Sequence, residues 1–182
     1  MKKLVLLMLA AASAHAGTPA VESPTSIYQF QAALTDQDGV ARGLDLYRGK
    51  PVLITLFYAS CPAACPLIID TLRATEKDLT AGQRTDLRVL LISIDPDRDT
   101  PAALRALADQ RRIDTSRWTL ARADPETVRT LAALLNVQYR QLPSGEFNHS
   151  PVITLLSPTG EIQASSLKLG TPDAALLAKL RR

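Results

Sequence analysis

The sequence predicts an α/β sandwich built on a mixed β-sheet, and three observations lead to this fold class. Two nearly continuous apolar runs, residues 51–58 and 87–94, are typical of strands covered on both faces. A segment with apolar residues at helical spacing lies between them and completes a strand–helix–strand unit. Further apolar runs near the C-terminus are separated by a tight turn and predict antiparallel strands. Parallel and antiparallel strands together make a mixed sheet.

The first elements are a hairpin and a helix. Residues 28–34 and 40–44 alternate in polarity and flank Asp38-Gly39, which is a strong turn signal, so we expect an N-terminal β-hairpin. The helix between the two core strands is predicted over residues 66–79, where apolar side chains recur at helical spacing.

Three later helices are marked by a capping residue followed by proline, which is favoured at the first helical position. These sites are Thr100-Pro101, Asp124-Pro125 and Thr171-Pro172. A short strand is predicted at residues 118–121. The closing antiparallel strands are predicted at residues 137–142, 151–156 and 161–167, with a turn at residues 157–160.

The N-terminus has the pattern of a secretory signal. Lys2 and Lys3 precede an apolar run over residues 4–14, and Ala14-His15-Ala16 is a cleavage pattern. We expect residues 1–16 to be cleaved, residues 17–26 to form a flexible segment, and residues 27–182 to form one domain. The apolar run is shorter than the roughly 20 residues that span a bilayer. The alternative is an uncleaved anchor.

Composition restricts the chemistry of the mature chain. Hydrophobic residues make up 46% and aromatic residues 4% of the 182 positions, which suits one globular domain and gives no support to nucleic-acid binding. Removing the signal takes away two lysines and no acids, so 19 basic residues remain against 18 acidic ones. Both methionines and His15 leave with it. Soft-metal or redox chemistry must therefore come from Cys61, Cys65 and His149.

The two cysteines have the spacing of one helical turn and follow the first core strand, at the sheet edge where α/β folds present binding groups. If the helix begins at Pro62 or just beyond, its free amides and dipole favour thiolate, so we expect a lowered thiol pKa. A purely structural disulfide is the alternative, but such a small loop removes little unfolded-state entropy.

His149 lies in a loop that enters the predicted strand at Pro151. Proline often opens the strand that faces the redox cysteines in thioredoxin-like folds, which would carry His149 to the thiols. Two sulfurs and one nitrogen suit Cu(I) and Zn²⁺, and can hold Cu(II) with a further ligand. A structural zinc site usually needs four protein ligands, so copper is the better prediction.

Residues 95–101 form an acidic run after the second core strand. We interpret it as a strand-to-helix loop whose carboxylates help to cap the next helix, with Arg98 paired to one of them. It lies at the same sheet edge as the cysteines, so a role in supporting the site or in docking stays open.

These motifs together resemble the Sco/SenC/PrrC family of thioredoxin-fold proteins. The resemblance rests on residues 47–51 (YRGKP), 57–66 (FYASCPAACP), 93–101 (SIDPDRDTP) and 148–150 (NHS). It implies a thioredoxin-like three-layer sandwich, here with an added N-terminal β-hairpin. It also implies that Cys61, Cys65 and His149 bind copper, as Cu(I) or Cu(II). Family members are linked to maturation of the CuA centre of cytochrome c oxidase, by delivering copper or by reducing the receiving cysteines.

The chain departs from the family pattern at its N-terminus and around His149, where Pro151 two residues later is more thioredoxin-like than in many members and slightly favours thiol exchange. Many members have an N-terminal transmembrane helix, whereas a cleaved signal is expected here, and Asn148 stands where Asp often precedes the ligand histidine. The resulting expectation is a soluble, monomeric, periplasmic copper metallochaperone. Its partner would be a copper-receiving oxidase subunit or another periplasmic copper or thiol protein. The alternatives are a thiol-disulfide oxidoreductase, with Cys61 attacking and Cys65 resolving, and a redox or copper sensor.

Overall fold

The computed structural model describes residues 23–61 and 64–181. The predicted signal peptide, and residues 17–22 of the predicted flexible segment, lie outside the described residues. Ser26, at the end of that segment, is buried and its hydroxyl donates to the carbonyl oxygen of Thr159 at 2.5 Å. Among the helices of these two ranges, none has the length and hydropathy that crossing a bilayer requires.

A seven-stranded sheet forms the centre of the molecule. Its strands are β1 (Leu34–Asp36), β2 (Ala41–Arg42), β3 (Val52–Phe57), β4 (Arg88–Ser93), β5 (Trp118–Arg122), β8 (Ile153–Leu156) and β9 (Ile162–Ser166). Strands β6 (Tyr139–Gln141) and β7 (Phe147–His149) form a separate two-stranded sheet. The order in the large sheet is β2-β1-β5-β4-β3-β8-β9. Strands β3, β4 and β5 are parallel, and the other pairings are antiparallel. The predicted mixed α/β fold is confirmed.

Strands β3 and β4 supply the middle of the core. Every residue of β3 and the last five residues of β4 are buried, as their unbroken apolar sequences predict. The two strands are in register from Val52 opposite Arg88 to Phe57 opposite Ser93. Because they are parallel and end together, the segments that follow them lie side by side at one sheet edge.

In the part of the chain that the structure describes, five α-helices and two short 3-10 helices complete the fold. They are α1 (Ala64–Lys77), α2 (Ala81–Asp86), α3 (Pro101–Gln110), α4 (Pro125–Leu134) and α5 (Ala174–Leu180), with 3-10 helices at Ile27–Gln29 and Leu44–Tyr47. Helix α1 lies between α3 and the loop before α5, since Arg73 donates to the carbonyl of Arg111 and the Gly170 amide donates to Thr71 Oγ1 at 2.8 Å. Thr100 and Asp124 cap α3 and α4, as the sequence predicts.

Two expectations at the chain's ends differ from the structure. In place of long hairpin strands, residues 34–36 and 41–42 pair briefly and β1 joins the edge of the large sheet, while the preceding residues form a 3-10 helix. Helix α5 is capped by Asp173 and not by Thr171, because the Asp173 carboxylate accepts from the amides of Ala175 and Leu176.

Two elements in the middle of the chain also differ. Helix α2 was not predicted, although Thr80 and Gln83 form a capping box there. The predicted strand over residues 137–142 shortens to β6, which pairs with β7 outside the central sheet.

Candidate metal centre

The structure brings Cys61, Cys65 and His149 together, with their two Sγ atoms and a ring nitrogen all within 4.8 Å of one another. Cys61 is partly buried in the loop after β3, and Cys65 is buried in the first turn of α1. His149 is the last residue of β7. Three separate elements therefore converge at the sheet edge where β3 and β4 end.

The cysteine loop folds back on its own sulfur atoms. The Cys65 amide donates to Cys61 Sγ at 3.4 Å, and the Tyr58 amide donates to Cys65 Sγ at 3.5 Å. Neither cysteine forms a disulfide bond. Amide donors favour thiolate, but burial raises the pKa of the Cys65 thiol and the neighbouring Cys61 raises it further. The expectation of a lowered thiol pKa is wrong for Cys65, because desolvation outweighs the amides and dipole at the helix start.

His149 lies in a strand and not in the predicted loop, because the turn at Ser144-Gly145 folds β6 and β7 into a hairpin. Its Nδ1 lies 3.3 Å from the carbonyl oxygen of Ser150. Its Nε2 is buried and has no hydrogen-bond partner among the described residues. A proton on Nδ1 would donate to the carbonyl and leave the Nε2 lone pair free. The peptide bond between Ser150 and Pro151 is trans.

This donor set fits a soft cation. Burial lowers the pKa of His149, so the imidazole is neutral at pH 7. A buried nitrogen without a partner is costly unless something occupies its lone pair, and the two sulfurs lie beside it. Two sulfurs and one imidazole suit copper, as the sequence indicated. The three side chains could thus hold a copper ion between the hairpin and the cysteine loop.

The acidic loop after β4 supports both sides of the site. Asp95 pairs with Arg98, as predicted, and Arg98 also donates to the carbonyl of Gly145 at the turn of the β6–β7 hairpin. Asp99 is buried and does not cap α3; its Oδ2 accepts from the Ala59 amide at 2.9 Å and the Ser93 hydroxyl at 2.5 Å. The expected capping by these carboxylates is wrong because the Thr100 hydroxyl caps the helix alone.

Tyr58 contributes to the site, although no sequence motif assigned it a role. Its ring meets the His149 ring nearly edge-on, with centroids 6.0 Å apart, and its hydroxyl hydrogen-bonds with the main chain of Phe147. The available signal was its position, because Tyr58 directly follows the buried strand and stands three residues before Cys61.

Comparisons with known proteins define the class of this fold and site. The SCO1/SenC family model matches residues 21–182, so the chain belongs to the SCO1/SenC family. The solved structure of copper-bound ScoI from Bradyrhizobium japonicum superposes with a TM-score of 0.65 and 28% identity, covering 83% of this chain and 96% of that one.

Individual relatives match over part of their length. Protein SenC of Rhodobacter capsulatus is 36% identical over 98 residues, which is 54% of this chain and 38% of that protein. The human mitochondrial SCO1 homologue is 27% identical over 153 residues, which is 81% of this chain and 48% of that protein. The chain therefore spans half or less of the length of these two relatives.

Proposed function

We propose that this protein is a periplasmic copper-binding metallochaperone that acts in maturation of a copper centre, of the CuA type in cytochrome c oxidase. The observation that carries the proposal is the buried Nε2 of His149, which lacks a hydrogen-bond partner within residues 23–61 and 64–181 and lies within 4.8 Å of two thiol sulfurs. Membership of the SCO1/SenC family and the similarity to a copper-bound ScoI support it. The signal-peptide pattern of residues 1–16 supports the location.

Copper is the cargo in this proposal, and the three side chains have different parts in holding it. Cys65 is buried and provides an inner sulfur, whereas the partly buried Cys61 provides the sulfur that a partner protein can reach. The neutral His149 imidazole completes the set without giving up a proton. Release by ligand exchange would begin at Cys61, because it is the less buried residue of the two.

The unequal burial of the two thiols favours one second candidate, a thiol-disulfide oxidoreductase. Thiolate attack requires an attacking sulfur that a partner can reach and a nearby resolving one, and the partly buried Cys61 beside the buried Cys65 is suited to these two parts. This activity needs no imidazole at the sulfurs. His149 therefore separates the two candidate functions.

The experiment is an anaerobic titration of the reduced mature protein with Cu(I) and with Cu(II) against a competing chelator. We expect one tight site per chain, with affinity lowered in His149→Ala and Cys61→Ser by more than about 100-fold, since groups that only support ligands contribute about 10- to 100-fold. Gln141→Ala, an exposed change on the same hairpin, is the matched control.

A copper-binding constant that is the same in His149→Ala as in the wild-type protein would contradict the metallochaperone proposal. If the same protein then reduces the disulfide of a partner protein, the oxidoreductase becomes the supported function. Fractionation and mass spectrometry of the exported chain test the location, since a mature protein that still carries residues 1–16 would contradict cleavage.

A further inference from the structure

The hairpin that carries His149 has little main-chain support. Strands β6 and β7 pair with each other from Tyr139 opposite His149 to Gln141 opposite Phe147, and neither pairs with the seven-stranded sheet. A two-stranded hairpin alone is marginally stable in water. A cavity of about 430 Å³ is lined by Tyr139 and Phe147 of the hairpin together with Ile94 and Val128, and the two hairpin side chains also pack against the hydrophobic core. Side-chain contacts must therefore fix its position.

Tyr58 makes contacts suited to this task. Its hydroxyl donates to the Phe147 carbonyl oxygen at 3.3 Å and accepts from the Phe147 amide at 3.5 Å, so one side chain engages both polar groups of a hairpin residue. Its ring packs on that of Phe147 with centroids 5.5 Å apart. Phe147 lies two residues before His149 on the same strand, so both side chains share one face.

Tyr58 is also fixed to the cysteine half of the site. It directly follows β3, whose residues are all buried, and it is itself only 2% exposed. Its amide donates to Cys65 Sγ. A group held rigidly beside the sulfurs thus bonds to the strand that carries the imidazole.

We propose that Tyr58 is a positioning residue of the metal centre, whose hydroxyl holds the β6–β7 hairpin where His149 Nε2 faces the two thiols. The effect on copper rests on the proposed function, whereas the effect on the hairpin does not. Without the hydroxyl, the hairpin would spend part of its time displaced, and apparent affinity falls in proportion to the fraction that remains competent. Arg98, bonded to Gly145 at the turn, is a second tether that limits this displacement.

The test uses Tyr58→Phe, which removes only the hydroxyl, and Tyr139→Phe as its matched control. Tyr139 lies on the same hairpin and its ring also packs near Phe147, at 6.4 Å, but its hydroxyl makes no hydrogen bond within the described part of the chain. In the reduced, metal-free protein we expect amide hydrogen exchange in β6 and β7 to quicken about 3- to 10-fold in Tyr58→Phe, the range for loss of one hydrogen bond. We expect no change in the control or in β3 and β4.

The second readout is a double-mutant cycle with His149→Ala, using copper affinity. Tyr58→Phe is expected to weaken binding about 3- to 10-fold in the wild-type background and to have no effect when His149 is absent, because the hydroxyl acts through the imidazole. Equal weakening in both backgrounds would mean that the hydroxyl acts on the thiols, which overturns the proposal.

The exchange and affinity measurements test the role of Tyr58 and the proposed function independently. Unchanged hairpin exchange in Tyr58→Phe overturns the positioning role whatever copper does. If the wild-type protein binds no copper, the proposed function fails, and hydrogen exchange still decides the role of Tyr58. Faster exchange throughout the molecule would indicate a general loss of stability and would likewise overturn a role specific to the hairpin.

Discussion

His149 and Cys65 respond to burial in opposite ways. Burial lowers the pKa of the imidazole, so its lone pair remains available in mildly acidic solution. Burial raises the pKa of the Cys65 thiol, so this sulfur carries a proton at neutral pH. Metal binding must therefore displace a proton from Cys65 and none from His149.

This difference predicts how copper affinity depends on pH. Between pH 6 and 9 we expect the apparent affinity for Cu(I) to rise by about tenfold per pH unit for each proton displaced, with Cys65 supplying at least one. The sign follows from the raised pKa, since the thiol stays protonated through this range in the free protein and loses its proton on binding. Competition titrations at each pH, corrected for the chelator's own protonation, measure the slope.

Cys65→Ser is the comparison for that slope. Removing the buried thiol should lower the affinity for Cu(I). It should also reduce the slope of log affinity against pH by about one, because one proton fewer is displaced on binding. An affinity of the wild-type protein that is flat above pH 7 would show that Cys65 is already a thiolate, and would contradict the dominance of burial over the Tyr58 amide at this sulfur.

At the scale of single elements, helix α2 depends on its N-terminal cap for stability. None of its six residues is buried, so no apolar face stabilises it against the core. The Thr80 hydroxyl accepts from the Gln83 amide at 3.3 Å, and Gln83 Oε1 accepts from the Thr80 amide at 3.0 Å. Because the helix has no repeating apolar residues, hydrophobic periodicity could not predict it. The capping box formed by Thr80 and Gln83 was the sequence feature that indicated a helix.

Thr80→Ala is expected to lower the free energy of unfolding by about 1 kcal/mol, the usual cost of losing a capping hydroxyl. Urea unfolding of the reduced protein measures it. Thr85→Ala is the control within the same helix, because the Thr85 hydroxyl donates to the Ala81 carbonyl and caps nothing. Alanine is also the better helix former, so this control should not lose stability. Equal losses in both variants would contradict the role of the cap.

For the molecule as a whole, the sequence predicts the hydrophobic core better than the elements and hydrogen bonds that hold the metal site in place. Continuous apolar runs identify β3 and β4, and the parallel strands place the cysteine loop beside residues 95–101. Hairpin β6–β7 was only half predicted, because its strands are short and largely exposed and leave no clear alternation. Asp99 forms hydrogen bonds with Ala59, 40 positions away, and with Ser93, six positions away. Local sequence patterns could not reveal these contacts.

Asp99 connects the ends of the two central strands. Its carboxylate accepts from the Ala59 amide after β3 and from the Ser93 hydroxyl at the end of β4, and the same hydroxyl accepts from the Asp95 amide. Burial raises the pKa of Asp99 more than these bonds lower it. The folded protein therefore holds a proton on this carboxyl more tightly than the unfolded chain does.

The raised pKa predicts that ionising Asp99 costs stability. Its contribution is fully present below the unfolded pKa, near 3.9, and is lost as pH rises through the folded pKa. Asn at this position can place its oxygen where Oδ2 accepts both bonds, without the charge. The stability of Asp99→Asn relative to wild type should therefore increase as pH rises above 4, and then become constant.

Urea unfolding of the reduced, metal-free protein from pH 4 to 8 measures this difference. Asp97→Asn removes the same charge from an exposed position of the same loop and is the matched control. A relative stability of Asp99→Asn that falls with rising pH would show that the anion is stabilised in the folded state. In that case the hydrogen bonds from Ala59 and Ser93 would outweigh desolvation, and the negative charge itself would join the two strand ends.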